Sequence, residues 1–304
     1  MAKPWSRCDS SLVYSQISPH RAQRVDLPGR YGVIAALRAP AVGDDALRTT
    51  ALLVPGYTGS KEDFAPMIDP ISDAGFEVLA IDLPGQQDSP GPDDEALYRP
   101  GPLGSVLAEL IGKIAADGRK VLLLGHSYGG LVARAAVFAG APIAGLTLMS
   151  SGPSELPAGE RRTVLEVGEH VLAEQGVEGT QKLNELRSSQ NPAWAALPQE
   201  LKDFYRNRFL RSPAAALLGM GNGLRYEPDQ VAKLARALRS TGTPALVVCG
   251  DADDAWSPAA QRDMAERLDA DFAVLPGVMH SPNTEAPHEL IATLLPTWRA
   301  WLTS

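Results

Sequence analysis

Cysteine is nearly absent: Cys8 and Cys249 are the two in the chain, too few for a disulfide framework. Cys8 lies in a polar leader. Cys249 ends an apolar segment, so it reads as a small buried hydrophobe rather than a reactive thiol. No Cys-x-x-Cys and no His-x-x-x-His pair occurs, so no metal is expected. No Gly-x-Gly-x-x-Gly follows the first strand, so no dinucleotide or other cofactor is implied. Basic blocks are missing and the net charge is −8, which argues against a nucleic-acid partner. No apolar run is long enough to span a bilayer, and no apolar stretch follows the basic segment Met1–Arg7. The expectation is a cytoplasmic protein without a membrane partner, acting on a small-molecule substrate. The sequence does not define its oligomeric state.

What is present is an α/β pattern over 304 residues, with 44% apolar and 21% charged residues. Residues 1–10 read as a leader. Extended segments are predicted at Leu12–Ile17 and Gly32–Arg38, separated by a turn at Leu27-Pro28-Gly29-Arg30. Strands are then predicted at Thr49–Val54, Glu77–Ile81, Lys120–Leu124 and Ile143–Met149. Between them lie helical patterns, with Phe64, Met67, Ile68 and Ile71 at i, i+3, i+4, i+7 and a second run over Leu103–Ala116. Residues 86–102, rich in Pro, Asp and Gly, read as an irregular loop. Strand and helix alternation of this kind implies a mostly parallel sheet covered on both faces.

The alternation stops at Ser150. Residues 151–240 carry helical stripes: Val164, Val167 and Val171; Leu201, Phe204, Tyr205 and Phe209; Val231, Leu234, Ala235 and Leu238. They read as an all-helical insertion, a cap between two core segments, 1–150 and 241–304. Gly219-Met220-Gly221-Asn222-Gly223 reads as a mobile segment or a static turn within it. The alternation resumes with strands at Pro244–Cys249 and Asp271–Leu275 and helices at Pro258–Leu268 and Ala286–Leu302.

The chain is organised around Val121–Gly130. Four apolar residues lead into Gly125-His126-Ser127-Tyr128-Gly129, and small residues suited to a helix follow. Gly-x-Ser-x-Gly between a strand and a helix is a nucleophile elbow. It forces the serine toward positive φ, and its glycines leave room for two arms that a Cβ would hold apart. A serine hydroxyl needs a base within reach and a group that holds the base. Such groups sit beyond the carboxyl ends of strands. Past one C-terminal strand lie Asp251, Asp253 and Asp254, and past the next lies His280. The order Ser, Asp, His is the one expected when an elbow carries the serine. Asp253 is preferred as the acid, with Asp251 and Asp254 as alternatives. An oxyanion needs two donors. The backbone N–H groups of Tyr128, after the nucleophile, and Tyr57, in the loop after the third strand, are the candidates. Phe204, Tyr205 and Phe209 are candidate substrate-binding residues in the insertion.

These motifs, with Gly56-Tyr57-Thr58-Gly59-Ser60, Asp82-Leu83-Pro84-Gly85, Gly250-Asp251-Ala252-Asp253 and His280-Ser281-Pro282 followed by Glu285 and Pro287, resemble the α/β-hydrolase superfamily over nearly the whole chain. The resemblance implies the α/β-hydrolase fold: a mostly parallel eight-stranded sheet, helices on both faces and an inserted helical cap. It implies a Ser127, Asp253, His280 triad, an oxyanion hole from Tyr57 and Tyr128, and the activity of a carboxylesterase-like serine hydrolase. Two positions depart from the pattern of many members: Pro55-Gly56 replaces His-Gly, and Gly85-Gln86-Gln87 replaces Gly-His-Gly. Serine at position 127 argues against epoxide hydrolases and haloalkane dehalogenases, which resemble this build but use aspartate there. The fold and triad leave open an ester, thioester, lactone, amide or carbon–carbon bond, and a ligand-binding member of the fold without hydrolysis.

Overall fold

The computed structural model describes residues 14–43 and 47–303. Eight strands pair into one sheet: β1 (Gln23–Gly29), β2 (Gly32–Ala39), β3 (Thr49–Val54), β4 (Glu77–Ile81), β5 (Lys120–His126), β6 (Gly145–Met149), β7 (Ala245–Gly250) and β8 (Asp271–Leu275). Their spatial order is β1-β2-β4-β3-β5-β6-β7-β8. β1 and β2 form an antiparallel hairpin and β2 pairs antiparallel with β4. The other pairings are parallel. β3, β4, β6 and β7 are buried along their whole length, which is why they read as continuous apolar runs rather than alternating ones.

Helices cover both faces. α1 (Ala65–Asp73) lies on one side with the C-terminal helix. α2 (Pro100–Ala116) and α3 (Tyr128–Phe138) lie on the other. The insertion supplies α4 (Glu160–Ser189), α5 (Pro192–Ala195), α6 (Gln199–Arg211), α7 (Ala214–Tyr226) and α8 (Val231–Thr241). α9 (Pro258–Leu268), the short α10 (Pro282–Glu285) and α11 (Pro287–Thr303) complete the chain. Among the described residues, no helix is long and apolar enough to cross a membrane.

Several expectations need correction. Leu12 and Val13 fall outside the described residues, and Tyr14–Ile17 are not a strand. The first strand is Gln23–Gly29, which takes in most of the segment expected to be a turn. It is an edge strand with a half-exposed polar pattern, so it lacks the apolar signal of a central one, and Pro28 is tolerated there. The expected irregular loop 86–102 contains a short 3-10 turn at Glu95–Tyr98 and the first turn of α2, where Pro100 fits because that position needs no N–H partner.

Within the insertion, the glycine-rich segment is neither mobile loop nor turn but the middle of α7. A Cβ at Gly219 would lie 2.0 Å from the Glu95 carbonyl, and one at Gly223 would lie 2.8 Å from the Tyr128 ring. Close packing outweighs the helix cost of glycine there. The first stripe holds in part: Val164 lines the cavity with Leu165 and Leu172, but Val167 is exposed. α4 covers a cavity rather than a core, so its apolar face is weakly marked. The third stripe is α8, whose Val231, Leu234, Ala235 and Leu238 are buried and which packs on α3 and α9 beside the sheet.

Candidate active site

The sheet places its chemistry at the carboxyl ends of β5, β7 and β8. β5 ends at His126, Ser127 turns sharply, and Tyr128 opens α3. Ser127 has φ 54° and ψ −120°, the strained conformation expected at the elbow. Its neighbours must be glycine. A Cβ at Gly125 would lie 2.4 Å from the Gly129 carbonyl oxygen, and one at Gly129 would lie 2.5 Å from the carbonyl oxygens of Val54 and Pro55. The Ser127 N–H donates to Met149 O at 2.9 Å, so the elbow stays tied to β6.

His280 follows β8. Its Nε2 lies 3.0 Å from Ser127 Oγ and its Nδ1 lies 2.9 Å from Asp253 Oδ1. All three residues are buried. Asp253 Oδ1 also accepts from the Ala255 N–H at 3.0 Å, and Oδ2 accepts from Gln261 Nε2 at 2.9 Å. Burial alone would raise the Asp253 carboxyl, but the His280 contact and these two donors outweigh it and hold the group below its ordinary value. The alternatives are engaged elsewhere. Asp251 accepts from the Gly277 N–H at 2.8 Å, and Asp254 pairs with Arg161 at 2.7 Å. Asp253, Asp254 and His280 offer ligand atoms within 4.8 Å of one another. Two of them bond to each other and the third is held by an arginine, so the arrangement does not fit a metal centre.

Glycine is required again where the histidine loop crosses β7. A Cβ at Gly250 would lie 2.0 Å from Val278 O and 2.4 Å from Met279 O. Glu285 accepts from the N–H groups of Met279 at 2.6 Å and Ser281 at 2.9 Å, pinning the backbone on both sides of His280.

Ser127 and His280 open into a cavity of about 660 Å³ between the sheet edge and α4, α6 and α7. Leu156, Leu165, Leu172, Leu217, Leu224 and Trp256 give it an apolar wall; Asp63, Arg208 and Asn283 give it a polar one. Tyr57 lines it, and the Tyr57 hydroxyl donates to Leu217 O at 3.3 Å. Of the three aromatic residues expected to bind substrate, Tyr205 and Phe209 line the cavity. Phe204 does not; its ring lies 5.3 Å from the Arg208 guanidinium carbon.

A family model described as "Alpha/beta hydrolase family" matches residues 51–293. The chain belongs to the alpha/beta hydrolase family. Its sheet and flanking helices are the α/β-hydrolase fold. A curated relative, the dihydrolipoyllysine-residue acetyltransferase component of an acetoin cleaving system from Cupriavidus necator, is 28% identical over 71% of this chain. The match spans about half (54%) of that relative's length. Among solved structures, a thermophilic esterase from Thermogutta terrifontis with malate bound superposes with a TM-score of 0.71 at 22% identity, covering 92% of this chain and 99% of that one. MenH from S. aureus gives 0.69 at 21% identity, over 88% and 98%. These structural likenesses establish the fold alone.

The roles of four supporting residues of this family member were not read from the sequence, though three of them stand in the motifs above. Gln86 stands at the departure from Gly-His-Gly. Its Oε1 accepts from the Leu83 N–H at 3.0 Å, and its Nε2 donates to Gly56 O at 2.8 Å. The Gly59 N–H donates to the same carbonyl at 3.1 Å. In a trans peptide the C=O and N–H point opposite ways, so fixing the Gly56 carbonyl also fixes the direction of the Tyr57 N–H. His126, read only as the elbow's variable position, directs Nε2 to the His280 carbonyl at 2.8 Å. A carbonyl only accepts, so His126 carries its proton on Nε2. Burial, reinforced by the neighbouring His280 ring, pushes His126 down to about 4. Gln261, fully buried, holds Asp253 and also donates to Trp256 O at 2.8 Å. Glu285 belonged to the motif but its role is set by the loop it closes. Gln86, His126 and Gln261 are polar residues that the fold buries, whereas Glu285 is exposed.

Proposed function

We propose that this chain is a carboxylesterase-like serine hydrolase, cleaving an ester-like bond of a small, partly apolar substrate through an acyl-enzyme on Ser127. The observation that carries this reading is the continuous bond path from Ser127 Oγ through His280 to Asp253 at the wall of one cavity. With its Nδ1–H donated to Asp253, His280 has a lone pair on Nε2 for the Ser127 proton. Oγ then attacks the substrate carbonyl carbon. The oxyanion is received by the Tyr128 N–H, which opens α3 and has no partner within its helix, and by the Tyr57 N–H. Collapse expels the alcohol, which takes the proton from His280. Water then attacks the acyl-enzyme as His280 takes one of its protons, and Ser127 is regenerated. Asp253 keeps the imidazole in the required tautomer and stabilises its charged form.

In this reading the helical insertion is the cap, with α4, α6 and α7 shaping the substrate space and Tyr205 and Phe209 among its walls. Phe204 acts behind them by packing on Arg208. Intact-protein mass after exposure to a fluorophosphonate tests the reading, with Ser127→Ala in parallel. One adduct on the parent and none on the variant is expected. A folded parent that takes no adduct overturns the serine-nucleophile assignment.

A further inference from the structure

The cavity has two unlike limbs. On the Tyr57 side Leu165 and Leu217 give it an apolar wall, and a Cβ at Gly221 would lie 3.3 Å from the Leu165 side chain and 4.0 Å from the Tyr57 hydroxyl; the one carboxylate acting on Tyr57, Glu169, is neutralised by Arg225 at 2.5 Å. Another part of its wall carries Arg208, whose side chain is 12% exposed. Its NH1 donates to Asp63 Oδ1 at 2.6 Å and to Ser60 Oγ at 3.4 Å. The guanidinium carbon lies 5.3 and 5.2 Å from the ring centres of Phe204 and Tyr205, which fixes its plane. Asp63 is itself held by the Ser60 N–H at 3.1 Å and Gln16 Nε2 at 3.0 Å. Asn283, in the turn after His280, donates to the Asp63 carbonyl at 2.6 Å, which joins this polar limb to the histidine loop.

Arg208 therefore arrives at the cavity with one edge satisfied and its orientation set. Its Nε and NH2 have no protein acceptor among the described residues. Arg208 lines both the main cavity and a recess of about 180 Å³, as Thr58 and Asn184 do. Glu185 borders the recess but is held by Arg206 and Gln181. An arginine fork anchored on one edge is suited to a planar, charged acceptor on the other. Asp63 cancels the charge of Arg208 at a distance, so the recognition is one of short-range geometry rather than long-range attraction.

We propose that Arg208 is a specificity-determining residue that receives a carboxylate on the leaving-group half of the substrate. The placement on that half follows from the bonds of Arg208 to Asp63 and of Asn283 to the Asp63 carbonyl, which tie the arginine to the loop of His280, the residue that protonates the departing oxygen. The inference rests on the hydrolase reading above. It narrows the substrate class to esters with an apolar acyl part and an alcohol part bearing a carboxylate.

The test compares kcat/KM for 4-butanoyloxybenzoate with that for its methyl ester, in the parent, Arg208→Gln and Arg208→Lys. The parent should favour the acid, although the acid has the poorer leaving group. The ratio should fall about ten-fold or more in Arg208→Gln, the usual cost of a lost hydrogen bond to a charged group. Arg208→Lys should recover little of it, because an ammonium cannot serve Asp63 and the carboxylate with a planar fork. Calorimetric binding of 4-hydroxybenzoate to Ser127→Ala, with and without Arg208→Gln, gives a readout that needs no turnover. Arg208-dependent binding without turnover of either ester would uphold the carboxylate site and sink the hydrolase reading. A ratio unchanged in both variants, or no preference for the acid and no binding, overturns the proposal. Should Arg208→Gln fail to fold, the lysine variant decides the question.

Discussion

The sheet edge and the helical insertion meet at one cavity but are held together differently. β3 and β7 are buried throughout, and β5 is buried except at Lys120. In α4, by contrast, 30 residues bury only Leu172, Gly179, Thr180 and Gln181, and α6 buries only Leu201. Polar contacts hold α6 to the sheet domain: Arg208 to Asp63, Arg211 to Asp88 at 2.7 Å, and the Tyr205 hydroxyl to Gln16 at 2.6 Å. α4 is further interrupted at Gly176, which has φ 68°. Ser127, Asp253 and His280 stand on the close-packed frame, whereas Tyr205, Arg208 and Phe209, which line the cavity, stand on the less buried layer. Few buried apolar contacts also mark that layer as the one of lower local stability.

The comparison is broken if changes on the two sides have the same effects, and four variants test it. The largest effect is expected for Asp253→Asn, which should lower kcat by about 10⁴-fold through the wrong imidazole tautomer. Esterase kinetics beside thermal unfolding check it, and a loss below ten-fold would remove Asp253 from its assigned role. Next is Gln86→Met, which takes away the donor to Gly56 O. A fall in kcat of about 10 to 10²-fold is expected, with a matching loss of affinity for a boronic acid and little change in KM. Losses in KM and melting temperature instead would make Gln86 a packing residue.

His126 links the frame to pH. Its folded value of about 4 lies below the ordinary 6.5, so between those values the unfolded chain binds the proton and the folded chain does not. Stability is therefore fully present above about 6.5, falls as pH is lowered toward 4, and loses up to about 3 kcal/mol from this group. Urea midpoints at pH 4.5 and 7 should show a smaller acid loss in His126→Asn than in the parent; an equal loss would show that His126 is not a source of it. The smallest change is expected in the cap. Gly221→Val extends into the apolar limb, and the ratio of octanoate to acetate ester turnover should fall about five-fold, the discrimination that one or two methylenes carry. A fall in both activities together, at an unchanged ratio, would place the damage in folding rather than selection.

How far the site could be read followed the distance over which each residue acts. The elbow was legible because strand, glycines, serine and helix are adjacent, and the close approaches at Gly125 and Gly129 are local. Asp253 and His280 were legible because each follows a strong apolar strand. Gln86 was visible only as a departure from the family pattern, since its partner Gly56 is 30 residues away. His126 acts on a carbonyl 154 residues distant. The insertion was read as helical and the α8 face was read correctly, but in α4 Val167 points outward, and the glycines of α7 sit in a helix because of what packs against them.

The sequence by itself determined the alternation of strands and helices, the elbow, and the order in which Ser127, the aspartates and His280 follow their strands. Those features rest on local backbone geometry and on apolar periodicity, which neighbouring residues encode. The tertiary structure alone decided that Asp253 rather than Asp251 or Asp254 meets His280, that Gln86 fixes the Gly56 carbonyl, and that Arg208 lines the cavity with a free edge. Each of these is a contact between distant segments, and its geometry exists only once the sheet and the insertion have packed together.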